Sequence, residues 1–255
     1  MTQQGYNKFY LPRWGDSDNT DLILSLMIAR NKLLMLRNYY LPDTDKQWTN
    51  LDFSNYYTFK QHFKQFITNT ITEARNRGVL SVTARSLISG VYPAPQPGGR
   101  CLSIQFLEPP LGKSKISVDT INQVITLAIG KDQQNPQVQD LLLVVSAPLS
   151  TSAREKIDMC SMNINIVHDD NFVLSPHEHL LNPVYREMSQ EEKANFFKQS
   201  GLGQSGISSI PANDPVIRNY GFGVGSLIEI TRTNYFSSSI GKVSVGYRIV
   251  TKKRD

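Results

Sequence analysis

The sequence predicts an α+β chain of two domains, a layered α/β domain over residues 1–170 and a small mixed α/β module over 171–255. Three observations predict it. Helical stripes and strand runs alternate between Asp21 and Val167, as in a layered sheet domain. A polar stretch, HDDNFVLSPHEH, follows and reads as a linker. Pro211 to Val250 then reads as a short helix, a Gly-rich turn and two strands.

In the first domain, Asp21–Tyr40 carries Leu22, Leu26, Ala29, Leu33 and Leu36 at helical spacing, closed by Pro42. Tyr56–Arg77 is a second helix, with Phe59, Phe63, Phe66, Ile67, Thr70 and Ala74 on one side and Gly78 as its stop. Val79–Ser89 alternates as a strand, and VYPAPQPGGR (91–100) is dense in breakers and reads as an exposed loop. Cys101–Leu107 is the next strand. Ser117–Gly130 is a helix with Val118, Ile121, Ile125 and Ala128 in a stripe. Leu141–Ser146 is a continuous apolar run, the mark of a strand covered on both faces. Ser150 or Ser152 caps a helix through Asp158, Ser152 and Glu155 having capping-box spacing. Asn163–Val167 closes the domain as a short strand.

In the second domain, Ser189 and Glu192 again stand at capping-box spacing. Asp214-Pro215 opens a helix, because Asp accepts orphan N–H bonds and Pro is tolerated at the first helical position. Gly221 ends it about two turns on, where a positive φ costs glycine little. Ser226–Thr233 sorts Leu227, Glu229 and Thr231 onto one face and Ile228, Ile230 and Arg232 onto the other. Val243, Val245, Tyr247 and Ile249 alternate with Ser244, Gly246, Arg248 and Val250.

A chain of 255 residues, 40% hydrophobic and 19% charged, can bury a sizeable core. No apolar run reaches the roughly 18 residues a membrane span needs, and MTQQGYNKF lacks a signal peptide's apolar stretch. An intracellular protein is expected. Cys101 and Cys160 have no metal spacing and read as reduced thiols. The net charge of +5 is mildly basic and spread over both domains. It suits work near nucleic acid without making either half a DNA glove. The one basic cluster, Lys252-Lys253-Arg254, reads as a solvated tail.

The run D-P-V-x-R-x-Y-G, then Gly225, a strand with Arg232, and Tyr247-Arg248-x-Val250, resembles a module of a DNA-directed RNA polymerase subunit. That subunit is the fifth of eukaryotic nuclear polymerases, and it has a counterpart in the archaeal polymerase. The residues that carry the resemblance are Asp214, Pro215, Val216, Gly221, Gly225, Arg232, Tyr247, Arg248 and Val250. A sparser likeness runs through the first domain. The family's E-P-x-x-G-x-K appears as Glu108, Pro109 and Gly112 with Lys113 and Lys115 nearby. Its LLVV strand and L-[ST]-P-S-A-[KR] loop appear as Leu142–Val145, then Leu149, Ser150, Ser152, Ala153 and Arg154, with Thr151 in place of proline. Its V-L-x-P-x-H appears as Val173, Leu174 and Pro176, with His177 or His179 for the histidine. Additions around 42–52, 91–100 and 234–241 lengthen the chain, and such divergence suggests a large DNA virus.

The resemblance implies a non-catalytic subunit without cofactor. Its first domain would be part of the jaw around downstream DNA, and its second an assembly module docking on the largest subunit. It implies DNA contacts from Ser150, Thr151, Ser152 and Arg154, where a helix N-terminus and hydroxyls suit a phosphate. It implies docking through Asp214, Pro215, Arg218, Tyr220, Gly221, Arg232, Tyr247 and Arg248. The location expected is the nucleus for a cellular member, and host cytoplasm or virion for a viral one.

Other chemistries fit less well. Gly221-x-Gly223-x-Gly225 has the wrong spacing and the wrong helix-to-strand order for a dinucleotide fingerprint. Gly112-Lys113-Ser114 mimics the end of a P-loop, but Leu107 stands where its first glycine belongs. His168, Asp169, Asp170, His177, Glu178 and His179 read as a polar linker rather than a metal site. A nuclease-like core, the alternative enzyme reading, wants an acid on one strand and Glu-x-Lys on its neighbour. Here Glu108 is followed by two prolines, and Val79–Ser89 holds no acid. The third reading is a stand-alone DNA-binding adaptor.

Overall fold

The structure is a computed structural model that describes residues 20–46, 56–79, 82–94, 100–129, 138–174, 182–233 and 243–252. The chain divides into two compact units, Met1–Val173 and Leu174–Asp255.

The first unit is built on a four-stranded sheet of order β1-β2-β3-β4, from Gly90–Tyr92, Cys101–Leu107, Val138–Val145 and Asn163–His168. The last three strands are parallel and β1 is antiparallel to β2. The apolar run of β3 serves two cores at once. Leu142 and Val144 meet a cluster from helices α1 (Thr20–Leu36), α3 (Tyr56–Asn76), α4 (Ala84–Ile88) and α7 (Asp169–Val173). Leu141, Leu143 and Val145 meet the opposite cluster, from α5 (Val118–Ile129) and α6 (Thr151–Asp158). All five are at most 3% exposed, each worth about 1.5–3 kcal/mol as buried side chains. A one-turn helix, α2, spans Asp43–Lys46.

Three sequence expectations need correction. The described residues of Val79–Ser89 form no strand. Thr83 caps α4, its hydroxyl accepting from Ser86 N (3.2 Å) while Ser86 Oγ accepts from Thr83 N (3.0 Å). Val91 and Tyr92 are not loop but part of β1, paired with Ser103 and Leu102, and Tyr92 is buried under Arg30. Of the two caps that the sequence left open for α6, Ser150 is the one that forms. On α3 the buried line is Phe63 with Phe59, Ile67 and Ile71, while Phe66 is exposed.

The second unit holds a sheet of order β5-β7-β8-β6, from Val184–Glu187, Leu227–Thr233, Val243–Thr251 and Ser209–Pro211. Pairing is antiparallel except between β6 and β8. Helix α8 (Gln190–Ser200) opens on the expected capping box, both bonds of which form. Helix α9 (Pro215–Tyr220) covers a small core of Ile217, Ile228, Ile230 and Val250. A single turn of 3-10 helix spans Gln204–Gly206.

Candidate functional site

The turn from Asp214 to Gly225 is locally determined. Asp214 Oδ1 accepts from Val216 N (2.9 Å) and Ile217 N (3.3 Å), which leaves Pro215 to start α9 without a donor to satisfy. Gly221 closes the helix at φ 75°, a left-handed conformation in which a Cβ is strained. Gly225, at φ 90°, then turns the chain, its N–H donating to Val250 O (2.8 Å). That bond ties the turn to β8.

Around this turn the aromatic rings gather. Tyr220 and Phe222 stack at 5.0 Å between centroids, and Tyr185 of β5 lies 5.9 Å from Tyr220. Burial pushes both Tyr185 and Tyr220 hydroxyls up, Asp214 adding to the effect at Tyr185. Arg218 is half-buried, and desolvation lowers its pKa while Asp214 opposes. Arg232 lies exposed opposite Ser244, and its charge reaches Tyr185.

The eight expected docking residues therefore do not form one patch. Asp214, Pro215, Arg218, Tyr220 and Gly221 lie on or beside α9, and Arg232 shares the sheet face that α9 covers. Tyr247 points to the opposite face, where its ring lies 4.5 Å from Phe196 of α8. Arg248, one residue on, returns to the α9 side by strand alternation.

Sequence reasoning missed the polar lattice on the α8 side. Arg186 donates to both oxygens of Glu192 (2.8 and 3.0 Å) and to both of Glu229 (3.2 Å each). Those bonds, Glu229 first, raise the Arg186 pKa. Lys193 Nζ donates to Gly225 O (2.7 Å), and on the α9 face, by strand alternation, Ser226 Oγ donates to Glu187 Oε1. The capping box was the one available signal for this group. Beside it, Val184, Thr231 and Val245 form a row across three strands, and both valines are exposed.

In the first unit, Ser150 Oγ accepts from Ala153 N (3.3 Å), and Thr151, Ser152 and Arg154 are exposed. A bridge between Ile116 and Leu149 sets the 113–116 segment against this turn, so Lys115 enters its neighbourhood. Glu108 follows β2 and lies 3.7 Å from Arg85, which is itself paired with Asp169. No group of three or more metal-capable side chains occurs among the described residues. His177, Glu178 and His179, parts of the 42–52 and 91–100 additions, all of 234–241 and two tail cations lie outside the described residues. No helix among the described residues is long and apolar enough to cross a membrane.

Residues 174–250 match the family described as RNA polymerase Rpb5, C-terminal domain. The archaeal relative Rpo5 of Archaeoglobus fulgidus, a DNA-directed RNA polymerase subunit, is 32% identical over 73 residues, 29% of this chain and 91% of that protein. The chain belongs to the Rpb5/Rpo5 family. Longer Rpb5-type relatives include DNA-directed RNA polymerases IV and V subunit 5B of Arabidopsis thaliana, 21% identical over 114 residues (45% of this chain, 50% of that protein). Another is subunit RPABC1 of polymerases I, II and III from Caenorhabditis elegans, 27% identical over 139 residues (54% and 62%). The chain spans about half the length of the first curated Rpb5-type relatives it matches. The Rpb5-type match contains α9, its glycine turn and nearly all of β7 and β8.

Proposed function

We propose that this chain is a non-catalytic subunit of a multisubunit DNA-directed RNA polymerase, with the active site and its metal in other subunits. The observation that carries the reading is the Rpb5-type second unit, whose Asp214 cap, Gly221 stop and Gly225 turn all form. This unit docks on the largest subunit through the α9 side, with Asp214, Arg218, Tyr220 and Arg232 in contact and Pro215 and Gly221 holding the turn. Arg248 belongs to the same side, while Tyr247 acts from beneath α8. The aromatic trio supports this assignment, because rigid rings on a polar rim are the usual anchors of an interface.

The first unit serves as part of the jaw on downstream DNA, with Ser150, Thr151, Ser152 and Arg154 at the duplex backbone. Three of these are exposed beside a capped helix start, which supports a sequence-independent phosphate contact. The insertions that lengthen the chain suit a viral version of the subunit. A nuclease-like role is disfavoured because Glu108 is engaged near Arg85 and Pro110 stands where the lysine of Glu-x-Lys belongs.

The test is affinity purification of the tagged chain from its native source, followed by gel filtration and mass spectrometry. Stoichiometric co-elution with two very large polymerase subunits is the expected result. Elution alone would overturn the reading. Metal-dependent DNA cleavage lost on Glu108→Ala would favour the enzyme, and tight salt-sensitive DNA binding by the isolated chain the adaptor.

A further inference from the structure

One residue of β8 has no part in the site described above. Gly246 stands in the middle of that strand, opposite Ile230, which is itself opposite Tyr185 of β5. A glycine there forgoes the side-chain packing of a strand interior, and such a residue often marks the close approach of another group. The group is Arg232. A methyl group on Gly246 would lie 3.4 Å from Arg232 Nη1, at the tight edge of van der Waals contact. The Arg232 side chain therefore leans from its own place opposite Ser244 across the backbone of β8.

That lean brings its guanidinium next to another cation. Arg248 is the following residue on the same face of β8, about 7 Å from Gly246 between α-carbons. Neither arginine makes an ion pair among the described residues, where the ion pairs of this unit belong to Arg186 on the opposite face. The carboxylates on their own side are engaged elsewhere: Asp214 caps α9, and Glu187 accepts from the Ser226 hydroxyl. Arg248 spends one donor on Tyr247 O (2.9 Å), and Arg232 is exposed. Tyr185, within reach of the Arg232 charge, begins the aromatic trio beside them.

Two cations without a counter-charge, one of them held over a glycine, call for an anion. A duplex backbone would meet two cations and two carboxylates on this side, too little positive charge for useful affinity. A carboxylate side chain is the better match. The planar guanidinium takes it by two parallel bonds, and the neighbouring rings offer apolar contact to the chain that carries it.

We propose that this spot receives an acidic segment of the partner on which the α9 side docks, its carboxylates meeting Arg232 and Arg248. Gly246 is the positioning residue that lets the Arg232 guanidinium lie there. The proposal rests on the docking reading above and names the chemistry of what is docked.

The test uses the assembled complex, purified through a tag on this chain. With Arg232→Lys in place, a carbodiimide joins the new amine only to a carboxylate that it touches, and mass spectrometry reads the joined peptides. The expected link runs from position 232 to an Asp or Glu of a large polymerase subunit. Gly246→Val, a residue that strands favour, should leave the melting temperature of the free chain equal or higher. It should nonetheless lower the salt concentration that strips the large subunits by at least about twofold, with Gly246→Ala between it and the parent. This variant decides the matter if Arg232→Lys does not assemble. No link, a link to Glu187 or Asp214 of the same chain, or a Gly246→Val complex as salt-resistant as the parent would overturn the proposal. So would nucleic acid joined to Tyr185 by ultraviolet light, which would make the spot a nucleic-acid site. If the parent chain itself elutes without large subunits, the docking reading fails and this proposal with it. Failure of the variants beside a parent that assembles counts against this proposal alone.

Discussion

Arg85 and Asp169, 84 positions apart in the chain, meet as a buried two-point ion pair in the first unit. The guanidinium donates to Asp169 Oδ1 at 3.0 Å and Oδ2 at 2.5 Å, and both residues are under 5% exposed. The pair joins α4 to α7, at the end of the strand that leads out of the sheet. Asp169→Ala leaves a buried cation with only Glu108 as a carboxylate partner among the described residues, and should cost about 3–5 kcal/mol in urea unfolding. Replacing both residues, Arg85→Met with Asp169→Leu, should cost clearly less. Equal losses would mean that the packing rather than the charge is what matters.

The Glu192 carboxylate predicts a pH dependence in the second unit. Ser189 N donates to it at 2.7 Å and Arg186 adds two further bonds, the backbone bond being the larger reason its pKa lies below the usual range. A carboxyl with a depressed folded pKa stabilises fully above its unfolded value, about 4.3, and loses that effect as pH falls through the folded value. Glu192→Gln should therefore lower the melting temperature at pH 7. The gap to the parent should close between about pH 4.3 and strongly acid solution. A gap independent of pH would contradict this.

The turn itself offers a sharper contrast. Asp214→Ala should cost about 0.5–2 kcal/mol through the lost cap. Gly221→Ala should cost about 1–2 kcal/mol through its left-handed backbone at φ 75°. Asp214→Asn should restore most of the first loss, because the amide oxygen can accept the same two N–H bonds. Differential scanning calorimetry of the three variants checks the order.

Arg154→Ala leaves the Ser150 cap intact and so separates contact from folding. If this side chain meets a phosphate, affinity for duplex should fall alike for all sequences. The slope of log K against log salt should then drop by about 1. The measurement belongs in the assembled complex, with melting of the free chain as the control. A sequence-dependent loss would contradict a backbone contact.

Local rules carried the sequence reading furthest where the chain's own neighbours decide the outcome. The Asp214–Pro215 opening, the Gly221 stop and the Ser189–Glu192 box each involve residues within seven positions, and each forms. The two-sided burial of β3 was legible because the apolar run has no polar alternation. Val79–Ser89 failed because its alternation also fits a helical turn, and Thr83 with Ser86 is a capping box without the usual acid. The candidate site was legible as a set of residues but not as a surface. Strand alternation alone separates Tyr247 from Arg248, yet nothing local tells which face α8 or α9 will cover. The approach of Tyr185 to the stacked Tyr220 and Phe222 depends on the pairing of β5 with β7, across more than forty residues and beyond the reach of any window.

The order of the second sheet has a consequence for how the chain is made. β8 is the last of its strands to leave the ribosome, yet it sits between β7 and β6 and is the only strand partner of β6 among the described residues. Until Val243–Thr251 has emerged, β6 has no neighbour and one edge of β7 stays bare. A nascent or truncated chain that stops at β7 is thus left with open strand edges, a ready target for chaperones and proteases. Only chains translated through β8 can close the sheet.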